Sequence, residues 1–246
     1  KNHLISMNNS LVKEYFRAIK EIRPIAFVME NVSMLRSDTH RFYDSYKDND
    51  EIDTLIESGH AIPKRQDSVV VANSRFEGID YEHIAELNIA NLSLPIELQQ
   101  LLSVLNKNKN NTRRLPNYLD KHSVEICRRI DAYITGIADA DIAHQVMIQH
   151  LQAIRQGVVA SNIKICSDVL DELVKMQKML STIQEIQENK LIGTYRVTET
   201  GSLIFDVMSY AVIDYINAIL GDDYVQDGCT VNAEWYGVPQ ERRRYI

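Results

Sequence analysis

The chain has 246 residues, of which 45% are hydrophobic and 25% charged, with a net charge of −7 at pH 7. That length carries one or two domains with a real core, and no run of about 18 apolar residues reads as a membrane span. The negative balance is the wrong sign for a nucleic-acid surface taken whole, so any such contact must be local.

Ser10 reads as the cap of a helix running to about Ile22, with Glu14 near its positive end. Leu11, Tyr15, Ala18 and Ile22 fall on one face, with Val12 and Ile19 alongside. Pro24 breaks the helix. Ile25 to Met29 is then a continuous apolar run, as in a strand buried on both faces of an α/β sheet. It ends abruptly in Glu30. In doubly wound sheets ligand chemistry sits just beyond strand carboxyl ends, so Glu30 stands at a site position on physical grounds.

From Arg36 to Asp67 the sequence is polar and poorly periodic. Ser68 to Ala72 reads as a short strand, and Pro95 opens a helix over 95–105. Asn106 to Asn117 reads as a polar loop rich in Asn and Lys. Long helical stretches follow at 122–156, with a break near Gly136, and at 161–189, with Ser167 or Asp168 near the start. In the second, Val169, Leu173, Met176, Leu180 and Ile183 form a pairing seam. The seam serves either an intramolecular helical hairpin turning at Gly157 or an oligomeric coiled coil. Leu203 to Leu220 is apolar with helical period and stops at Gly221-Asp222-Asp223. Extended pieces are expected between Tyr224 and Trp235. Gly237-Val238-Pro239 then turns the chain into a strand over 242–246, where period two separates Arg242 and Arg244 from Arg243 and Tyr245.

Three cysteines, Cys127, Cys166 and Cys229, are widely spaced and odd in number. They suit a reducing, cytoplasmic setting rather than a disulfide framework, and none stands at metal-ligand spacing. Basic clusters occur at Lys107-Asn108-Lys109 with Arg113-Arg114, at Arg128-Arg129 and at Arg242-Arg243-Arg244. Such clusters are most often solvated faces. The chain starts at Lys1 without Met and stops at Ile246 inside an expected strand, so it reads as a piece of a longer protein.

Two blocks carry a resemblance. Residues 23–32 read Arg-Pro-Ile-Ala-Phe-Val-Met-Glu-Asn-Val. Residues 232–246 include Asn232-Ala233 and Tyr236-Gly237-Val238-Pro239-Gln240-Glu241-Arg242-Arg243-Arg244. Together, and in this order, they resemble the "ENV" and "Gln-x-Arg-x-Arg" blocks of the cytosine-5 DNA methyltransferases. The likeness covers about residues 1–35 and 202–246. It implies an α/β fold, part of a doubly wound methyltransferase sheet, interrupted by a large, mainly helical insertion over 36–201.

The resemblance also implies the chemistry. Members of the family transfer a methyl group from S-adenosylmethionine to C5 of a cytosine flipped out of double-stranded DNA. A cysteine thiolate adds to C6, and charge developing on the ring is neutralised at N3. By resemblance Glu30 does this, with a raised pKa in the closed site. Arg244 contacts the base carbonyl O2, and Arg242 lies near the nucleophile and a phosphate. Guanidinium geometry and permanent charge suit both tasks. Asn31 and Gln240 brace the surrounding loops or substrate.

The departures are equally specific. No Pro-Cys pair occurs, so none of the three cysteines matches the nucleophile, and no glycine-rich cofactor loop is present. The chain alone is therefore expected to be inactive, as a fragment of an enzyme from a restriction-modification or phage-like system. Two other readings stand beside this one: a helical DNA-binding or protein-interaction module, and one subunit of a split methyltransferase. An exposed sheet edge leads to an expectation of self-association.

Overall fold

Helix α1 (Met7–Ile22) buries a different stripe from the one its period suggests. Phe16 and Ile19 are buried and Val12 is partly so, whereas Leu11 and Ile22 are 63% and 75% exposed. The buried stripe is displaced by one position because the aromatic Phe16 outcompetes Tyr15 for the core. Burying such a side chain contributes about 1.5–3 kcal/mol. The computed structural model describes residues 7–27, 31–32, 40–137, 141–221, 224, 230–232 and 243–245.

The helix begins before Ser10, which lies inside it. It ends at Arg23, whose φ of 49° is left-handed and whose N–H donates to the Ile19 carbonyl at 2.8 Å. A left-handed residue is the usual means of stopping a helix. The strand expected over Ile25 to Met29 is not formed in its described part, 25–27, and Ile25 is fully exposed. The Tyr224 hydroxyl instead holds the Pro24 carbonyl at 2.7 Å. Phe27 turns in against Tyr15, Phe16 and Tyr224 with ring centroids 5.1–6.3 Å apart. The first strand among the described residues is β1 (Asn31–Val32).

The segment 40–72, poorly periodic in sequence, is well structured. It holds β2 (Arg41–Tyr43), α2 (Asn49–Glu57) and β3 (Lys64–Ala72). Four of its apolar residues, Phe42, Ile52, Leu55 and Ile62, join Phe16 and Ile19 in one core. A helical region follows, α3 (Ile89–Leu92), α4 (Ile96–Asn108), α5 (Arg114–Gly136), α6 (Ile142–Val159) and α7 (Ser167–Glu188). Then come β4 (Gly193–Val197), β5 (Leu203–Ala211), α8 (Val212–Leu220), β6 (Thr230–Asn232) and β7 (Arg243–Tyr245).

The apolar run 203–220 is thus not one helix. Its first half is a strand, central in a sheet of order β2-β5-β3 with β4 also paired to β5. β5 is buried at Leu203, Phe205, Val207 and Tyr210, and a doubly covered strand and a buried helix present the same continuous apolar pattern. β2 and β5 are antiparallel, with Phe42 opposite Tyr210.

A second sheet has the order β1-β7-β6. β7 is antiparallel to both neighbours. β1 and β6 therefore run parallel to each other. Parallel strands need a crossover connection, and α8 lies on it.

Two compact units divide the chain: residues 1–69, 185–194 and 205–246, and residues 70–184 with 195–204. The division near 69 differs from the boundary expected near 36, because Phe42 of β2, Ile52 and Leu55 of α2 and the following Ile62 share the core of α1 and α8. Within the helical unit, α4 packs on α5 and α5 on α6. The seam residues Leu173, Met176, Leu180 and Ile183 are buried inside the single chain. Gly157 is not the hairpin turn but lies within α6, where a Cβ would sit 2.6 Å from the Cys166 Sγ. Gln177 is buried among apolar groups and fully used: Oε1 accepts from the Leu94 amide at 2.8 Å and Nε2 donates to the Leu92 carbonyl at 3.1 Å.

Candidate functional site

The ends of the sequence meet in the β1-β7-β6 sheet. Asn31 pairs with Tyr245 and Val32 with Arg244 in antiparallel register. On the far side of β7, Val231 is opposite Arg244 and Asn232 opposite Arg243. So Val32 and Arg244 form one rung of the ladder, and Asn31 and Tyr245 the next. Among the residues singled out in the sequence, Asn31 and Arg244 lie in these strands. Glu30, Gln240 and Arg242 fall outside the described residues.

The same unit contains a cavity of about 260 Å³ lined by α1, β2 and α2 together with Asn189, Leu191 and Tyr215. Its floor is built around Lys13. The ammonium donates to the Asp48 carboxylate at 2.5 Å and to the Tyr210 hydroxyl at 3.0 Å, and it lies 4.4 Å from the centroid of the Phe42 ring. Tyr215 donates to Glu51 at 3.3 Å. Burial pushes the Tyr210 and Tyr215 hydroxyls well above the ordinary tyrosine range, and the nearby carboxylates add to this. Arg41 is held the same way: Nε donates to the Ser209 hydroxyl at 2.7 Å, and that hydroxyl donates to Asp67 at 2.5 Å. Lys13 and Arg41 thus each have an anion of their own, Asp48 and Asp67. Sequence reading missed this group. Its one signal was a lysine three positions before Phe16, on the stripe that proved to be buried.

The described cysteines are poor nucleophiles. Desolvation raises the thiol pKa of both Cys127 and Cys166, and Cys166 is buried. The reactive species is the thiolate, which burial disfavours. Cys229 falls outside the described residues. Among the described residues no group of His, Cys, Asp and Glu could hold a metal ion, and no helix is long and apolar enough to cross a membrane.

Residues 2–67 match the family model described as C-5 cytosine-specific DNA methylase. No curated protein and no solved structure matches the chain. The matched segment includes α1, the Glu30-Asn31-Val32 triplet, β2, α2 and the first residues of β3. S-adenosylmethionine is the methyl donor that this family implies. The described residues do not form a cradle for it. The nine glycines stand singly in the sequence, with no glycine-rich turn.

Proposed function

We propose that this chain is part of the catalytic domain of a DNA (cytosine-5-)-methyltransferase. The observation that carries the reading is the register that sets Val32 opposite Arg244. It joins the two sequence blocks whose resemblance to the family was independent of any structure, and the family match over 2–67 supports the first of them. The parallel β1 and β6, bridged by a crossover through α8, favour a section of a doubly wound methyltransferase sheet with β7 as its antiparallel member. The unit formed by 70–184 and 195–204 is then a helical insertion into that domain.

In this reading the substrate is a cytosine flipped from double-stranded DNA. S-adenosylmethionine, when bound, supplies an electrophilic methyl group. Glu30 shares its proton with N3 of the base. This stabilises the negative charge that appears when a thiolate forms a bond to C6 and an electron pair moves toward C5. Arg244 donates to O2 of the base. Arg242 neutralises a backbone phosphate close to the nucleophile. Asn31 and Gln240 brace the loops on either side. A charged hydrogen bond of the Arg244 type contributes roughly 1.5–3 kcal/mol.

The nucleophile comes from a Pro-Cys block on another segment or on a partner chain. The residues before Cys127, Cys166 and Cys229 are Ile126, Ile165 and Gly228. The raised thiol pKa values of Cys127 and Cys166 also argue against either. The enzyme belongs in the cytoplasm, in a restriction-modification or phage-like system. The isolated chain self-associates through its sheet edge and the exposed Leu11, Ile22 and Ile25.

The test is Glu30→Gln in the complete active protein. Glutamine keeps a hydrogen bond but cannot deliver a proton to N3, so turnover falls by ~10²–10⁴ while DNA affinity is retained. A loss of turnover smaller than about tenfold removes Glu30 from the proton transfer and sinks the proposal.

A further inference from the structure

We propose that the tip of the α4–α5 hairpin is a sequence-independent contact for the phosphate backbone of duplex DNA. The inference rests on DNA being the substrate. It adds a second contact surface, in the helical unit. From Leu98 to Leu119 the sequence contains no Asp or Glu, although the whole chain has 34 acidic residues and a net charge of −7. The same stretch carries Lys107, Lys109, Arg113 and Arg114. The tip itself, 106–114, is Asn, Lys, Thr and Arg throughout, with no aliphatic or aromatic residue.

The structure presents these groups selectively. Lys109 is turned inward and consumed: its ammonium donates to the Ser167 carbonyl and to the Asp171 carboxylate, which also accepts from Asn106 at 2.8 Å. Lys107, Arg113 and Arg114 are exposed, and among the described residues none of the three has an ion-pair partner. Lys121 is exposed two helical turns beyond Arg114, about 10 Å along the same stripe of α5.

The mount is rigid. The Asn111 side-chain oxygen accepts from the Arg113 and Arg114 amides at 3.1 and 2.9 Å, and the Asn111 amide donates to the Asn108 carbonyl at 2.8 Å. Tyr118 ties α5 to the Leu101 carbonyl of α4 at 2.9 Å. A fixed loop that offers permanent cations, flanked by amide and hydroxyl donors, suits phosphate oxygens and loses little entropy on binding. It reads no base, so it positions rather than specifies.

The measurement is fluorescence anisotropy of a labelled mixed-sequence duplex with the full chain, from 50 to 300 mM salt as a design range on the order used for such slopes. The variant replaces Lys107, Arg113 and Arg114 by alanine, and its melting temperature is checked against wild type. Each lost phosphate contact lowers the slope of log K against log salt by about 0.9, so the triple variant's slope falls by about 2–3, equally for unrelated sequences. Arg128→Ala, which removes a cation already held by Glu125, leaves the slope unchanged. An unchanged slope in the folded triple variant overturns the inference. So does a labelled poly-glutamate that binds as tightly through the same three residues. Glu30→Gln keeps the wild-type slope, so a failure of the catalytic reading shows in turnover and a failure of this one in binding. A wild-type chain that binds no duplex at the lowest salt overturns this inference, and the catalytic reading then stands or falls on the turnover of Glu30→Gln in the complete protein.

Discussion

Val32 and Arg244 stand directly opposite each other in an antiparallel ladder, although they belong to opposite ends of the sequence. One follows the Glu30-Asn31 pair and the other closes the Gln-x-Arg-x-Arg pattern. A hairpin could not bring them together, because everything from β2 to β6 intervenes. Long-range pairing of this kind has a large closure cost in the unfolded chain, and the folded core must offset it.

The isolated chain is expected not to methylate DNA. Neither described cysteine is activated, Cys229 follows Gly228 rather than a proline, and no glycine-rich loop for the methyl donor occurs in the sequence. Incubation with tritiated S-adenosylmethionine and mixed-sequence DNA checks this. Label in cytosine means the reaction uses a nucleophile that the reading has overlooked.

Lys13→Met is expected to lower stability by about 2 kcal/mol. It leaves the part-buried Asp48 carboxylate and the Tyr210 hydroxyl without their shared donor. A double-mutant cycle with Asp48→Asn isolates the pair. A coupling below ~0.5 kcal/mol would mean that the contact is spatial only.

Gly193→Ala should cost about 1–3 kcal/mol through overpacking. A Cβ there lies 2.3 Å from the Asp206 carbonyl oxygen and 2.6 Å from the Phe205 ring, so β4 must move off β5. Gly136→Ala is the contrast. Nothing lies within 4 Å of its Cβ position, at the end of α5, and the change is expected to be neutral or to stabilise by about 0.5–1 kcal/mol. Urea melts of both variants decide it, and equal effects would contradict the close approach of β4 to β5.

Stability is expected to fall in alkali. Burial raises the hydroxyl pKa of Tyr210 and Tyr215, and pushes those of Tyr133 and Tyr195 up to about 12. A folded pKa above the unfolded value of about 10 means that the folded state holds its protons longer. The contribution is therefore complete below pH ~10 and is lost as pH rises from there through the folded pKa values. Denaturant midpoints at a series of pH values test the sign, and phenolate absorbance separates early from late tyrosines. A midpoint that holds or rises above pH ~10 contradicts the assignment.

Much of the architecture was legible because local rules governed it. Pro95 and the Gly136 break marked helix ends correctly, since a missing N–H and a flexible backbone act within one turn. The seam through Leu173, Leu180 and Ile183 predicted a buried face, although only the folded chain shows that the partners are its own. Ser68 to Ala72 was legible as a strand, but β2 and α2 before it were not. Their few apolar residues have no periodic signal, and become a core only when α1 and α8 are laid against them.

The sequence by itself determined two blocks of recognisable chemistry, the acid at the end of an apolar run and the arginines on a strand, because residue type at short spacing is a local property. It also determined the acid-free basic stretch near Arg113. Tertiary structure alone decided that 203–211 is a strand, that α1 buries Phe16 rather than Tyr15, and that Lys13 is neutralised inside the core by Asp48. It alone set Val32 beside Arg244. Each of these depends on what a residue meets across space, and a continuous apolar run or an isolated lysine reads the same in sequence whatever it meets.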